Sequence, residues 1–136
     1  QYPPTIINFT SSNLPIIIID THGQQIVDTP EIFATMKIID NGTGNNQVTD
    51  APNVYNGLIN IEYRGNSSLY HDKKSFGLET LKSTDSTERE VGLFGFPPES
   101  DWILIANFFD PTHVKNAFMQ DLWRQTGRYG PRVKFC

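Results

Sequence analysis

Cysteine is almost absent from this sequence: the single one is the final residue, Cys136. An intrachain disulfide and a cysteine-based zinc site are therefore both excluded. Long apolar runs are missing too. The longest, Leu14 to Ile19 with Pro15 inside it, falls far short of the roughly 20 residues that a membrane-spanning helix needs. With a net charge of -4 there is no excess of positive charge to draw in nucleic acid or anionic lipid, so any phosphate site must be local. The Gly-Lys-Ser/Thr phosphate loop and the Gly-x-Gly-x-x-Gly dinucleotide fingerprint are absent. Gly65-Asn66-Ser67-Ser68-Leu69 lacks the second glycine of a serine-hydrolase elbow. His22, His71 and His113 lie in three separate segments without ligand spacing, so no metal site is expected. The first residue is Gln1 and no basic-then-apolar leader follows it, which reads as a processed or excised chain.

What is present describes one globular domain. A chain of 136 residues can bury roughly two thirds of the surface its unfolded form exposes. A content of 38% hydrophobic and 12% aromatic residues supplies a core. Residues 1–13, with Pro3, Pro4, Thr10, Ser11 and Ser12, resist helix and form an extended entry. The domain proper is expected over 14–136.

The pattern within it is mostly that of strands. Four consecutive isoleucines make Leu14 to Asp20 a buried strand, ended by a turn at Thr21-His22-Gly23. Phe33 to Asp40 alternates loosely, and Asn41 to Asn56, rich in Asn, Gly and Asp, reads as a long loop. In Leu58 to Arg64 the set Ile59, Ile61 and Tyr63 faces the core, leaving Arg64 on the polar side. In the next strand, Lys74 to Leu81, Lys74 shares a face with Phe76 and Leu78. Val91 to Ser100 reads as a short turn and loop, and Asp101 to Asn107 as another apolar strand. One helix is expected from the Asp110-Pro111 cap to about Gln125, with Val114, Ala117, Phe118 and Leu122 as its apolar stripe and Gly127 as its terminator. Tyr129 to Cys136 reads as the start of a further strand. These elements predict an α+β fold, a mostly antiparallel twisted sheet of about five strands with one main helix packed across it.

The chemistry concentrates in two neighbouring segments. Arg64 precedes a small polar turn, and Lys73-Lys74-Ser75-Phe76 opens the next strand. Two cations, the hydroxyls of Ser67 and Ser68 and several backbone amides can converge there on one anionic group. The same residues fit a second reading, in which Arg64 pairs with a carboxylate and the lysines are solvated strand ends. Trp102, Phe108, Phe109, Trp123 and Tyr129 are expected in the core, and Asp121 as a solvated helix residue.

These residues also carry a resemblance. Leu14-Pro15-Ile16-Ile17, Tyr63-Arg64-Gly65-Asn66-Ser67-Ser68, Lys73-Lys74-Ser75-Phe76, Gly92-Leu93-Phe94-Gly95-Phe96-Pro97 and Ser100-Asp101-Trp102-Ile103-Leu104 stand in the order and spacing of CotH-like proteins. Asp110-Pro111-Thr112, Lys115-Asn116-Ala117 and Arg128-Tyr129-Gly130-Pro131-Arg132 continue the pattern. The family is named for spore coat protein H, a bacterial kinase. The resemblance implies the amino-terminal lobe of an atypical protein kinase, secreted or at the cell surface, that transfers a phosphoryl group from ATP, with magnesium, to protein serine or threonine. It puts Arg64 and Lys74 on the nucleotide, with Lys73 as the alternative to Lys74 and Ser67 and Ser68 beside them.

Lys115 departs from the family pattern, which has arginine before the helix asparagine; the charge is kept and the fork geometry is lost. The acidic catalytic and metal-binding segments of the family are expected downstream of Cys136. On that expectation no catalytic residue lies in this chain and it requires neither ATP nor magnesium by itself. Its partners would be the protein substrate and the C-terminal half of the parent kinase. A rival reading from another class is a non-enzymatic β-rich binding module or coat-assembly module, suggested by Asn/Thr-rich loops and aromatics.

Overall fold

The structure, a computed structural model, describes residues 8–42, 44–84 and 87–136. Among these described residues, seven strands and one α-helix follow in chain order. The strands are β1 (Ser11–Ser12), β2 (Ile16–Asp20), β3 (Ile32–Ile39), β4 (Asn46–Gln47), β5 (Tyr55–Arg64), β6 (Ser75–Thr80) and β7 (Asp101–Leu104), and the helix is α1 (Lys115–Gln125). Five of the strands form one antiparallel sheet in the order β2-β3-β5-β6-β7. The expected α+β class with a mostly antiparallel sheet is what the chain adopts.

Alternation decides which side of the sheet is buried. Ala34, Met36 and Ile38 of β3 point the same way as Tyr55, Ile59 and Ile61 of β5 and Leu78 of β6, and Leu93 closes over them. Ile26, Val54, Val91, Phe94, Trp102 and Leu104 pack at the margin of this cluster. Ile59 is fully covered, which is worth about 1.5–3 kcal/mol for a side chain of its size. The opposite face carries Thr35, Lys37, Asn60, Glu62, Arg64, Gly77, Glu79 and Asp101, brought side by side by the pairs Asn60↔Glu79, Glu62↔Gly77, Arg64↔Ser75 and Glu79↔Asp101.

The extended entry expected over 1–13 lies in part outside the described residues, namely at residues 1–7. Within the rest of it, β1 pairs with β4, which interrupts the loop expected over Asn41 to Asn56. The buried Asn46 amide explains the excursion: its Nδ2 donates to the Leu14 carbonyl at 2.8 Å and its Oδ1 accepts from the Asn41 amide at 2.7 Å. Such long-range polar ties leave no periodic trace in a sequence.

Three expectations are corrected in the last third. The helix begins at Lys115, not at Pro111, because His113 takes a left-handed backbone (φ 57°) that no helix continues through. None of its residues is buried, so it is not packed across the sheet; Phe118, Met119, Leu122 and Trp123 all remain exposed. The segment after it is not a strand. Its carbonyls are taken by side chains of α1 instead of by a neighbouring strand: Trp123 Nε1 donates to Tyr129 O at 2.9 Å, and Arg124 Nη1 to Pro131 O at 2.6 Å. Gly130 lies buried against Trp123 and Arg124, so the chain reverses along the helix after the left-handed Gly127. Lys134 then reaches back to Asp40 at 3.3 Å. The aromatics follow the same correction: Trp102 joins the core margin, whereas Phe108, Phe109, Trp123 and Tyr129 are exposed.

Candidate functional site

Beyond β5 the chain turns through Gly65, whose φ of 120° is open only to glycine and whose Cβ, if it had one, would collide with Ser68 Oγ. A single 3₁₀ turn, Ser67–Tyr70, then leads to His71 and the two lysines. This loop faces another, residues 105–110, that leaves β7. One hydrogen bond and two ring contacts join this side of the molecule to it. The Ala106 amide donates to Ser75 Oγ at 3.0 Å, and the His71 ring stacks on Phe108 at 4.6 Å while meeting Phe109 edge-on at 4.5 Å.

Between the loops lies an open cleft of about 370 Å³. Ser68, Lys73 and Ser75 line one wall, and Asn107, Asp110, Lys115 and Asn116 the other, with Phe108 and Phe109 at the apolar end. Asp110 organises the second wall. Its Oδ1 accepts from the Thr112 hydroxyl at 2.6 Å and the Thr112 amide at 3.0 Å, and its Oδ2 from the Lys115 amide at 2.9 Å. The Thr112 hydroxyl above all, with both amides and the Lys115 charge, pulls the carboxyl down to about 2 against a weaker opposing effect of burial. Asn116 Nδ2 donates to Asn107 Oδ1 at 3.0 Å, closing the loop on itself.

The expected site residues fall in different places. Lys73 and Ser68 line the cleft; Ser67 is exposed in the adjoining 3₁₀ turn. Lys74 does not share an anion with Arg64. Strand parity puts it on the core face, where its ammonium sits over the Tyr63 ring at 5.5 Å and donates to the carbonyls of Leu69 at 2.7 Å and His71 at 2.9 Å. It pins the loop from beneath. Arg64 is on the opposite face, exposed, in a second groove lined by Glu31, Glu62, Glu79 and Asp101. That groove is acidic enough, together with burial as the first cause, to raise the Glu31 carboxyl above its ordinary value. A phosphate placed there would meet four carboxylates and one guanidinium. The two strands therefore separate the cations that spacing alone had joined, and the reason was visible in the alternation of β5 and β6.

Asp110, Lys115 and Asn116 are the residues that sequence reasoning did not place at the site. Their motif was legible as part of the resemblance, but nothing in its spacing says that the loop before α1 folds back beside Lys73. Among the described residues no group of three His, Cys, Asp or Glu side chains is arranged to hold a metal ion. Among the described residues the cleft offers a single carboxylate, Asp110, and both of its oxygens already accept hydrogen bonds. Magnesium binds through one or two carboxylates together with substrate oxygens, and the one carboxylate here, Asp110, is already turned toward Thr112 and the Lys115 amide. No helix among the described residues is long and apolar enough to cross a membrane.

No curated protein and no solved structure gives a match to this chain. A family model described as CotH kinase protein does match, over residues 61–136, more than half of the chain. The matched stretch starts inside β5 and contains β6, β7, α1 and every residue that lines the cleft. On that match the chain belongs to the CotH kinase protein family.

Proposed function

We propose that this chain forms the amino-terminal lobe of a protein kinase and that its cleft receives the phosphates of ATP, whose terminal phosphoryl group passes to a serine or threonine of a protein substrate. The observation that carries the reading is the position of Lys73 and Ser68, an exposed ammonium and a hydroxyl, on one wall of a cleft that lies wholly within the family match. Cations directed at phosphate oxygens offset the charge that develops on the transferred group, the largest single contribution a protein makes to such a reaction. Ser67 remains a further donor in the adjoining 3₁₀ turn. Arg64 belongs to the acidic groove, and Lys74 supports the loop that carries Lys73. Magnesium would accompany the nucleotide, with its carboxylate ligands and the catalytic base assigned to other parts of the parent kinase. A secreted or cell-surface setting belongs to the same reading.

Lysine acylation followed by mass spectrometry, with and without ATP, tests it on the purified chain. Lys73 should react readily without nucleotide and be shielded with it, whereas Lys74, already bound to two carbonyls, should react slowly in both. Equal labelling of Lys73 in the two conditions would sink the reading.

A further inference from the structure

The cleft draws its two ammonium groups from opposite walls: Lys73 from the segment entering β6, Lys115 from the first residue of α1. One lysine is a poor match to a run of phosphates. Its three N–H donors serve one or two oxygens, while each phosphate group spreads its charge over several. The remaining charge needs a second cation, and two of the obvious candidates are ruled out by where they point. Lys74 has its ammonium engaged on the core face, and Arg64 stands among carboxylates in the neighbouring groove.

Lys115 meets the requirement. Its side chain is 70% exposed, and its ion pair with Asp110 is long, at 3.8 Å. The lysine end of the pair is exposed and the contact lies near the long limit of an ion pair, so the ammonium is free to turn toward an anion. Asp110 does not have to move when it does so, because its oxygens are held by Thr112 and by the Lys115 amide. The bond from Asn116 to Asn107 fixes the backbone from which Lys115 projects. Resting on the phosphate reading above, we infer that Lys115 is the second phosphate-contacting residue of this cleft and closes a clamp with Lys73 on a chain of phosphates. The lysine side chain sets the strength of the clamp: an ammonium makes point contacts where a guanidinium would grip two oxygens at once.

Titration calorimetry of the 136-residue chain with ATP and, separately, with inorganic tripolyphosphate tests the assignment, far-UV circular dichroism confirming that each variant is folded. Lys115→Met should weaken both ligands about ten-fold or more, as loss of a charge-assisted hydrogen bond does. Lys115→Arg should bind at least as tightly as the native chain. Lys37→Met removes an exposed charge on β3 away from the cleft and should change neither affinity. If Lys115→Met binds both probes as tightly as the native chain while Lys73→Met does not, the clamp is wrong and the phosphate reading survives. An equal loss in Lys37→Met would reduce the effect to net charge and overturn the clamp as well. Failure of the native chain to bind either probe would bring down both.

Discussion

The five-stranded sheet and the helical segment that follows it are both rich in apolar side chains, and they dispose of them in opposite ways. In the sheet, Met36, Ile38, Ile59, Ile61 and Leu78 are nearly without exposure. Along α1 every residue is exposed or half-buried, and the segment is held by polar ties: Trp123 and Arg124 to the carbonyls of the returning chain, Asp110 to its first amide. The cleft lies on the seam between the two, one wall fixed by the sheet and the other by these hydrogen bonds. The contrast separates what makes the fold stable from what shapes the site. Cutting Ile59 back to alanine should cost about 2–5 kcal/mol, since it removes fully covered methyl groups and leaves a void. Leu122→Ala, in the apolar stripe of the helix, should stay within about 0.5 kcal/mol. Urea unfolding of the two variants checks the pair, and a comparable loss at Leu122 would break the contrast.

The sharpest local test of the seam is Gly65. With φ at 120° and Ser68 Oγ where a Cβ would sit, Gly65→Ala should cost roughly 1–3 kcal/mol and displace Ser68 from the cleft wall. Chemical-shift changes confined to residues 64–74, together with a lower urea midpoint, would bear this out; an unchanged midpoint would mean that the turn relaxes freely.

The two regions also differ in how much of them the sequence discloses. Strands β2, β3, β5, β6 and β7 are legible from β-branched runs and two-residue alternation, because a half-buried sheet imposes that period on Ile59, Ile61 and Tyr63 directly. The same alternation sets Arg64 and Lys74 on opposite faces, so the shared anion was contradicted by a pattern already in the sequence. The helical stripe is equally clear as a pattern, but a pattern shows that a face is apolar and not what covers it. The start of α1 misleads for a different reason: Asp110 does cap the first amide, five residues ahead of it, around a left-handed His113 that nothing in Pro111-Thr112-His113 announces. The contact between the 67–74 loop and the 105–110 loop, through His71, Phe108 and Phe109, is a long-range packing event outside the reach of spacing rules.

Acid separates the two regions most gently, through Asp110. Its carboxyl is held at about 2 in the folded chain, with the Thr112 hydroxyl as the leading cause, against roughly 3.9 for an unperturbed aspartate. A depressed value means that the folded state prefers the ionised form, so the contribution is present in full above the unfolded pKa and is lost as pH falls through about 2. Between about pH 4 and pH 2 the loop at Thr112 and the first turn of α1 should loosen, while the sheet keeps its amide protection. The Thr112 and Lys115 amide resonances report the first event, and hydrogen exchange at Ile59 and Ile61 the second. In Asp110→Ala those two amides should already be loosened at pH 7 and show no further acid transition. If the native chain and this variant respond alike between pH 4 and 2, Asp110 does not hold the second wall, and the seam must be tied elsewhere.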